Sequence, residues 1–362
     1  MIQPIVKILV ALSGGVDSAA AAALLVQQGH HVVAAYMKNW VNDEGIPGEC
    51  PWEQDVEDAL SVCRVLGIEL RVIDLIDRYR ERVVHYLLEG YRQGSTPNPD
   101  VLCNREMKFG VLLDYALEQG FEAIATGHYA RRSDTADSGS YILRGADTNK
   151  DQSYFLALMH THQIARAIFP VGHLTKPQVR TLAEQFHLPN AHKKDSQGIC
   201  FIGKVKMSDF LRHYIPDNPG EIVDTAGRHL GHHQGLHLFT MGQRKGHHIA
   251  SPREGVAYVV VGKDLQHNRL ILGYEGDPGL YAGHATVGSI ANIHHSLPER
   301  ILAQPRYRAP AVPATCRHLG ADKVELSFDT PIRALAPGQV CAFYSAEQPE
   351  RLLGGGFFEQ IH

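Results

Sequence analysis

The feature that most constrains this chain lies near its start. Val6 to Leu12 is a short apolar run that ends in Ser13-Gly14-Gly15-Val16-Asp17-Ser18. An alanine-rich stretch, Ala19 to Gln28, follows and is closed by Gly29. Such a run reads as a buried strand, the paired glycines as a tight loop, and the alanines as a helix stopped by glycine. His31 to Met37 is a second buried strand. Glu53 to Leu66 then places Val56, Leu60, Cys63 and Leu66 at helical spacing. A strand at Glu69–Ile73, a helix at Asp77–Tyr91, a helix at Asn104–Gln119 and a strand at Ala123–Thr126 continue the alternation. The prediction is an α/β fold, a doubly wound parallel sheet with helices on both faces. Right-handed crossovers put ligands at the carboxyl ends of its strands, where the glycine loop falls.

The alternation stops near residue 200. A short helix, Met207–Tyr214, leads into Gly-, His- and Val-rich segments with strand character, including Ala257–Val261 and Arg269–Leu272. From about 281 the chain is β-patterned, with strands expected in Ala285–Ile290, Lys323–Phe328 and Gln339–Tyr344 and turns at Leu319–Asp322 and Ala336–Gly338. Three domains are predicted: an α/β domain over 1–203, a small mixed, mainly β central domain over 204–280, and a C-terminal β-barrel over 281–362. The polar segment Arg131–Ser140 reads as a hairpin tip or mobile loop.

The loop Ser13–Ser18 joins a strand to a helix. Adjacent glycines let backbone N–H groups turn inward, the helix start adds partial positive charge, and the two serines add donors, which together make an anion cradle. A plain capped turn, with Asp17 or Ser18 as N-cap, uses the same cues. No Gly-Lys-Ser/Thr and no G-x-G-x-x-G is present, so neither a Walker loop nor a dinucleotide fingerprint applies.

None of the six cysteines forms a C-x-x-C pair. Cys63 lies on an apolar helix face and Cys316 and Cys341 lie in strand patterns, as small core residues do. Cys50 sits among the acids of Asp43–Asp58, where a thiolate is disfavoured. Cys103 and Cys200 differ. Pro97 and Pro99 precede Cys103, a helix is expected right after it, and Asp100 lies within reach as a proton carrier. Cys200 sits in a polar, glycine-containing loop beside Lys193 and Lys194. The histidines at 229, 232, 233 and 237 lack cysteine partners and the H-E-x-x-H spacing, so no metal site is expected.

Composition excludes some classes. At 44% hydrophobic and 20% charged the chain is globular, and without an apolar run of membrane length no membrane association is expected. Met1–Lys7 lacks the marks of a secretion signal, so a cytoplasmic location is expected; the chain is also expected to be a monomer. The net charge of −4 argues against bulk electrostatic nucleic-acid binding, yet the balance is uneven. Residues 1–200 carry 19 basic and 24 acidic side chains, and residues 201–362 carry 16 and 15, which leaves room for a local phosphate-binding face.

The loop resembles the PP-loop of the adenylating ATP pyrophosphatases. Together with Met37–Trp40, Thr96–Phe109, Ala125–Ala130, Lys150–Leu156, Asp195–Gly203 and Gly242–Gly246, kept in order, the chain resembles the tRNA-specific 2-thiouridylases over nearly its whole length. Ala19, where a second serine is expected, is a small departure. The resemblance implies ATP with Mg2+ at Ala11, Leu12, Ser13, Gly14, Gly15, Val16, Asp17, Ser18, Met37 and Gly127. It implies tRNA contacts from Asn98, Pro99, Asp100, His128, Lys150, Asp151, Gln152, Arg306, Tyr307 and Gln339, with Asn98–Asp100 around a flipped-out base. It further implies that Cys200 carries a persulfide, that Cys103 is the nucleophile completing sulfur release, and that Asp100 is the acid/base. A transient Cys103–Cys200 disulfide would close each turnover. The sulfur would come from a cysteine desulfurase or a sulfur-relay protein. Two other readings remain at this point: another PP-loop adenylating enzyme using an amine, in which the cysteines would be idle, and a non-catalytic nucleotide-binding module.

Overall fold

The computed structural model describes residues 5–47, 52–135, 139–194, 205–292 and 297–362. Cys50 and Cys200 lie outside the described residues. In chain order, β1 (Lys7–Ala11), α1 (Val16–Gln27), β2 (His31–Lys38), α2 (Trp52–Leu66) and β3 (Leu70–Asp74) follow the expected alternation. The next two helical runs are less regular than their apolar spacing suggests. α3 (Ile76–Tyr79) passes through a π-helical stretch, Arg80–Val84, into α4 (His85–Arg92). α5 (Pro99–Leu102) passes through a second one, Cys103–Val111, into α6 (Leu112–Glu118).

The helix expected to begin after Cys103 therefore begins at Pro99, with Cys103 inside it. Asn98 is the cause. Its Oδ1 accepts from the amides of Asp100 and Val101 at 3.2 and 3.4 Å, and the proline after it fits the first helical turn.

The α/β domain continues with β4 (Ala123–Ala125), the hairpin of β5 (Ala130–Thr135) and β6 (Gly139–Arg144), α7 (Thr161–Ala165), β7 (Ala167–Ile168) and α8 (Lys176–Gln185). The main sheet runs β3-β2-β1-β4-β7, every pair parallel. Connections leave β1 toward β2 on one side and the sheet resumes at β4 on the other. The crevice at the carboxyl ends of β1 and β4 is thus the topological switch point, where open α/β sheets bind ligands. Ile8, Leu9, Val10, Ile124 and Ala125 are fully buried, as strands covered on both faces require.

α9 (Met207–Tyr214) precedes the central sheet of β8 (Gly220–Asp224), β9 (His229–His233), β10 (Val259–Asp264) and β11 (Arg269–Gly273), ordered β10-β11-β8-β9. Last come β12 (Tyr281–Asn292), β13 (Arg300–Gln304), β14 (Val312–His318), β15 (Val324–Arg333), β16 (Val340–Ser345) and β17 (Leu352–Ile361). They close into a barrel in the order β12-β15-β14-β13-β16-β17. Val287, Leu326, Phe343 and Phe358 fill it together with Cys316 and Cys341. Burial pushes the Cys316 thiol up to about 11 and the Cys341 thiol well above its usual range. Cys63 is likewise pushed up to about 11 by burial between α2 and the sheet. These three thiols are core groups.

The β5–β6 hairpin joins the α/β domain to the barrel. Arg144 N donates to Glu350 O at 2.8 Å, Arg131 pairs with Glu350 at 2.9 Å, and the Arg144 guanidinium lies 3.6 Å from the Tyr344 ring centroid.

Candidate active site

Ala11 ends β1, and Leu12 extends its pairing by donating to Ala35 O at 2.8 Å. The chain then turns through Ser13 and Gly14 to Gly15, which is the N-cap of α1 and makes no side-chain cap. Neither Asp17 nor Ser18 caps the helix. Ser18 Oγ instead donates to Gly15 O at 3.0 Å and accepts from Ser13 N at 3.2 Å, so the hydroxyl shapes the loop. The first-turn amides of α1 keep the orientation that receives an anion.

Two glycines are sterically required here. Gly14 has φ +75°, and a Cβ on it would lie 2.6 Å from Asp55 O. Gly127, two residues beyond β4, would place a Cβ 2.6 Å from Asp17 C and Ser18 N. The two sides of the switch point meet at backbone contact. Met37, near the end of β2, is buried in the core beneath the crevice.

The carboxylate of Asp17 is held from two sides. Tyr129 Oη donates to it at 2.7 Å, and Lys176 Nζ reaches both of its oxygens at 2.8 and 2.9 Å. Lys176 is a cation beside the glycine loop that the motif reading did not supply. Its signal was present: Thr175 and Gln178 form a capping box, with Pro177 in the first turn, and so announce a helix start. Asn190 was missed as well; its Nδ2 donates to Gly14 O at 3.0 Å.

Polar capacity is left over around this crevice. Asn190 Oδ1 and both carboxamide atoms of Asn39, which follows β2, are buried without a partner. Such groups cost about 1–3 kcal/mol each unless a ligand or water meets them. With the glycine cradle, they fit a polar nucleotide. Lys193 bonds Asp55 and Asp58 at 2.8 and 2.6 Å and so offsets part of the acidic stretch beside the loop. Among the described residues no three His, Cys, Asp or Glu side chains are grouped as a protein-held metal needs.

A second cavity, of about 380 Å3, opens at the start of α5. Asn98, Pro99 and Asp100 line it together with Gln339 of the barrel, Thr96 and Met207. A neighbouring cavity of about 150 Å3 shares Gln339 and adds Arg306, Met241 and Arg333. Five residues expected at the RNA are thus brought together: Asn98, Pro99, Asp100, Arg306 and Gln339. Arg306 is exposed, whereas the Tyr307 ring packs 4.4 Å from the Phe155 ring centroid.

Others of that set have internal work. Asp151 accepts from Gly145 N, Ser153 N and Ser153 Oγ and pairs with Arg144 at 2.8 Å. Gln152 Oε1 accepts from Tyr129 N at 3.0 Å. His128 is buried against Phe109 and Phe169, with Nδ1 2.7 Å from Thr126 Oγ1. Burial, reinforced by Lys108, holds its pKa well below the usual histidine range, so it is a neutral ring. Lys150 is half-buried in the turn that leads to them.

Cys103 is fully buried in the main core, one helical turn beyond Asp100, and does not line the cavity. The helix-start environment expected for its thiol is corrected: Pro99 and Asp100 occupy the first turn, and Cys103 follows it. Cys200 and the segment Asp195–Gly203 lie outside the described residues.

The sheet order, the glycine loop at its switch point and the close approach of Gly127 define an α/β enzyme of the PP-loop nucleotide class. Family models agree part by part: a tRNA methyl transferase HUP domain over residues 6–204, a tRNA methyl transferase PRC-barrel domain over 208–274, and an aminomethyltransferase beta-barrel domain over 281–358. The tRNA-specific 2-thiouridylase MnmA of Akkermansia muciniphila is 71% identical over 98% of this chain and 99% of that protein. The protein of the same name from Proteus mirabilis is 46% identical over 98% and 97%. The chain belongs to the tRNA-specific 2-thiouridylase family. Among solved structures, a 4-thiouridine synthetase–RNA complex with bound ATP is 18% identical, with a TM-score of 0.35, covering 56% of this chain and 47% of that one. Among the described residues no helix is long and apolar enough to cross a membrane.

Proposed function

We propose that the protein is an ATP-dependent tRNA-uridine 2-sulfurtransferase acting on the wobble uridine of Lys-, Glu- and Gln-type tRNAs. The observation that carries this is a single helical run. Its first turn, with Asp100, lines a nucleoside-sized cavity, and it bears Cys103 one turn deeper.

The chemistry follows from a poor leaving group. The C2 oxygen of uracil does not depart unaided. It attacks the α-phosphorus of ATP, pyrophosphate leaves, and C2 then carries AMP as its leaving group. The loop Ser13–Ser18 receives the β,γ-phosphates on its amides, with Lys176 as the adjacent cation. Mg2+ is assigned to the nucleotide's own phosphates, because both oxygens of Asp17, the loop's carboxylate, already face Lys176.

The terminal sulfur of a Cys200 persulfide attacks C2 and AMP departs. Cys103 then attacks the Cys200 sulfur, cleaving the S–S bond, so that sulfur stays on C2 and a Cys103–Cys200 disulfide remains for an external thiol to reduce. Asp100 moves the proton. Cys103 is covered in this structure, so it reaches the substrate only when the π-helical stretch starting at it rearranges, and such stretches recur at functional sites. A cysteine desulfurase or sulfur-relay protein would load Cys200, and the enzyme is taken to work as a cytoplasmic monomer.

The test is mass analysis of tRNA nucleosides after incubation with ATP, Mg2+ and a sulfur donor, for wild type, Cys103→Ser and Cys200→Ser. Wild type should yield 2-thiouridine and neither variant should. Labelled sulfur should load on Cys103→Ser and not on Cys200→Ser. Full activity of either variant would remove the persulfide route, and a methylated nucleoside would replace the whole reading.

A further inference from the structure

Lys263 lies on β10 of the central domain, yet its Nζ donates to Gly94 O of the α/β domain at 3.1 Å. Gly94 follows the C-cap of α4 with φ +79°, its amide donating to Tyr91 O and that of Ser95 to Gly90 O. A carbonyl just past a helix end has no partner within the helix, and here another domain supplies a cation to it. Among the described residues no carboxylate bonds Lys263, and desolvation pulls its pKa down to about 8. A half-buried ammonium that meets only a carbonyl gives up hydration for little return in stability, so its placement calls for another reason.

The contact is reinforced around it. A Cβ on Gly94 would lie 2.6 Å from Leu265 Cδ2, so the β10–β11 turn is seated directly on this glycine. The chain leaving Gly94 is then gripped by all three domains. Ser95 Oγ donates to Gly90 O at 2.8 Å, and Thr96 Oγ1 meets Thr240 Oγ1 of the central domain at 3.4 Å. From the barrel, Pro337 O accepts from Thr96 N at 2.8 Å and Gln339 Nε2 donates to Thr96 O at 2.5 Å. Two residues later Asn98 caps the helix that carries Asp100 and Cys103.

We propose that Lys263 is a positioning residue for the sulfur-transfer step: by holding the Gly94 carbonyl from the central domain, it fixes residues 94–98 and so sets the helix start that presents Asp100 to the cavity and carries Cys103 one turn deeper. The proposal rests on the 2-thiouridylase reading and gives the central domain a share in that chemistry. Small misplacements at a reacting centre are expensive, on the order of ten- to a hundredfold in rate.

The experiment uses the full-length protein with tRNA, ATP and a sulfur donor, comparing wild type, Lys263→Met and Lys263→Arg. Lys263→Met should fold with a Tm at or above wild type and bind ATP equally well. Its kcat for 2-thiouridine should fall at least about tenfold while KM for tRNA stays within about threefold. Lys263→Arg should restore most of the rate, and hydrogen exchange at the Ser95 and Thr96 amides should speed up in the Met variant alone. Wild-type kcat in Lys263→Met overturns the proposal. So does a joint fall of kcat, tRNA affinity and Tm that arginine does not rescue, since that describes a merely structural contact. A wild type that makes no 2-thiouridine overturns the functional reading itself, and this proposal with it.

Discussion

Replacing Lys176 by Met tests the electrostatics of the crevice most directly. Lys176 reaches both oxygens of Asp17 at 2.8 and 2.9 Å, and the side chains are 11% and 32% exposed. An exposed pair is worth about 0–1 kcal/mol, whereas stranding one partner of a buried pair costs about 3–5 kcal/mol. This pair lies between those limits, and Tyr129 Oη still bonds Asp17 after the change. Lys176→Met should therefore cost about 1–3 kcal/mol. Asp17→Asn in the same chain removes the stranded charge, so the double variant should recover most of that loss. Pyrophosphate release should stay absent in both, because the cation beside the loop is gone. Thermal unfolding of wild type, both single variants and the double variant gives the coupling energy, and a pyrophosphate assay gives the function. Additive stabilities would refute the pairing, and wild-type pyrophosphate release by Lys176→Met would refute its role toward ATP.

Three further outcomes follow from the same geometry. His128, His233 and His237 are held below the usual histidine range, burial being the largest cause for each. The unfolded chain therefore takes up protons first as pH falls. Their contribution to stability is full above about 6.5, is lost progressively below it, and should appear as a falling Tm from pH 7 toward 5 that His128→Gln reduces. Asn39→Leu should raise the stability of the ligand-free protein by about 1–2 kcal/mol while weakening ATP binding, since it removes a carboxamide that has no partner until ligand arrives; a lower Tm with unchanged ATP affinity in calorimetry would contradict this. Arg306→Ala should weaken all substrate tRNAs alike and reduce the salt slope of binding by about one unit, and an unchanged slope with lost discrimination among tRNAs would mean that Arg306 reads a base.

The parts of this site that were legible in sequence are those fixed by local chemistry. A glycine pair between an apolar run and an alanine helix has few conformations open to it, so the loop and its place at the carboxyl ends of the sheet's strands could be read directly. Cys63 could be assigned to the core because helical spacing carries burial. The burial of Cys103 could not be read, because it depends on where the helix starts. Asn98 and Pro99 move that start ahead of the cysteine, and the π-helical stretch beyond it packs against the neighbouring stretch Arg80–Val84, a contact no local pattern encodes. The roles of Asp151 and Gln152 were hidden for a similar reason. Each lies in a motif that suggests contact with RNA, but their partners, Arg144 and Tyr129, sit on strand and loop segments that only the folded chain brings near.

The two halves of the reaction also draw on different amounts of the molecule. The nucleotide crevice is built within the α/β domain: Ser13–Ser18, Gly127, Tyr129, Lys176 and Asn190 all belong to it. The cavity proposed for the base is not, since Gln339 comes from the barrel and Thr96 is bonded from both other domains. On the proposed reading, adenylation needs a preorganised anion site that one sheet can supply, whereas aligning a sulfur nucleophile needs the barrel and central domain in place. That arrangement suits an enzyme whose activated intermediate is prone to hydrolysis: contacts from three domains meet on Gly94–Asn98, so on the proposed reading the geometry that would admit the base would also set the groups that act on it.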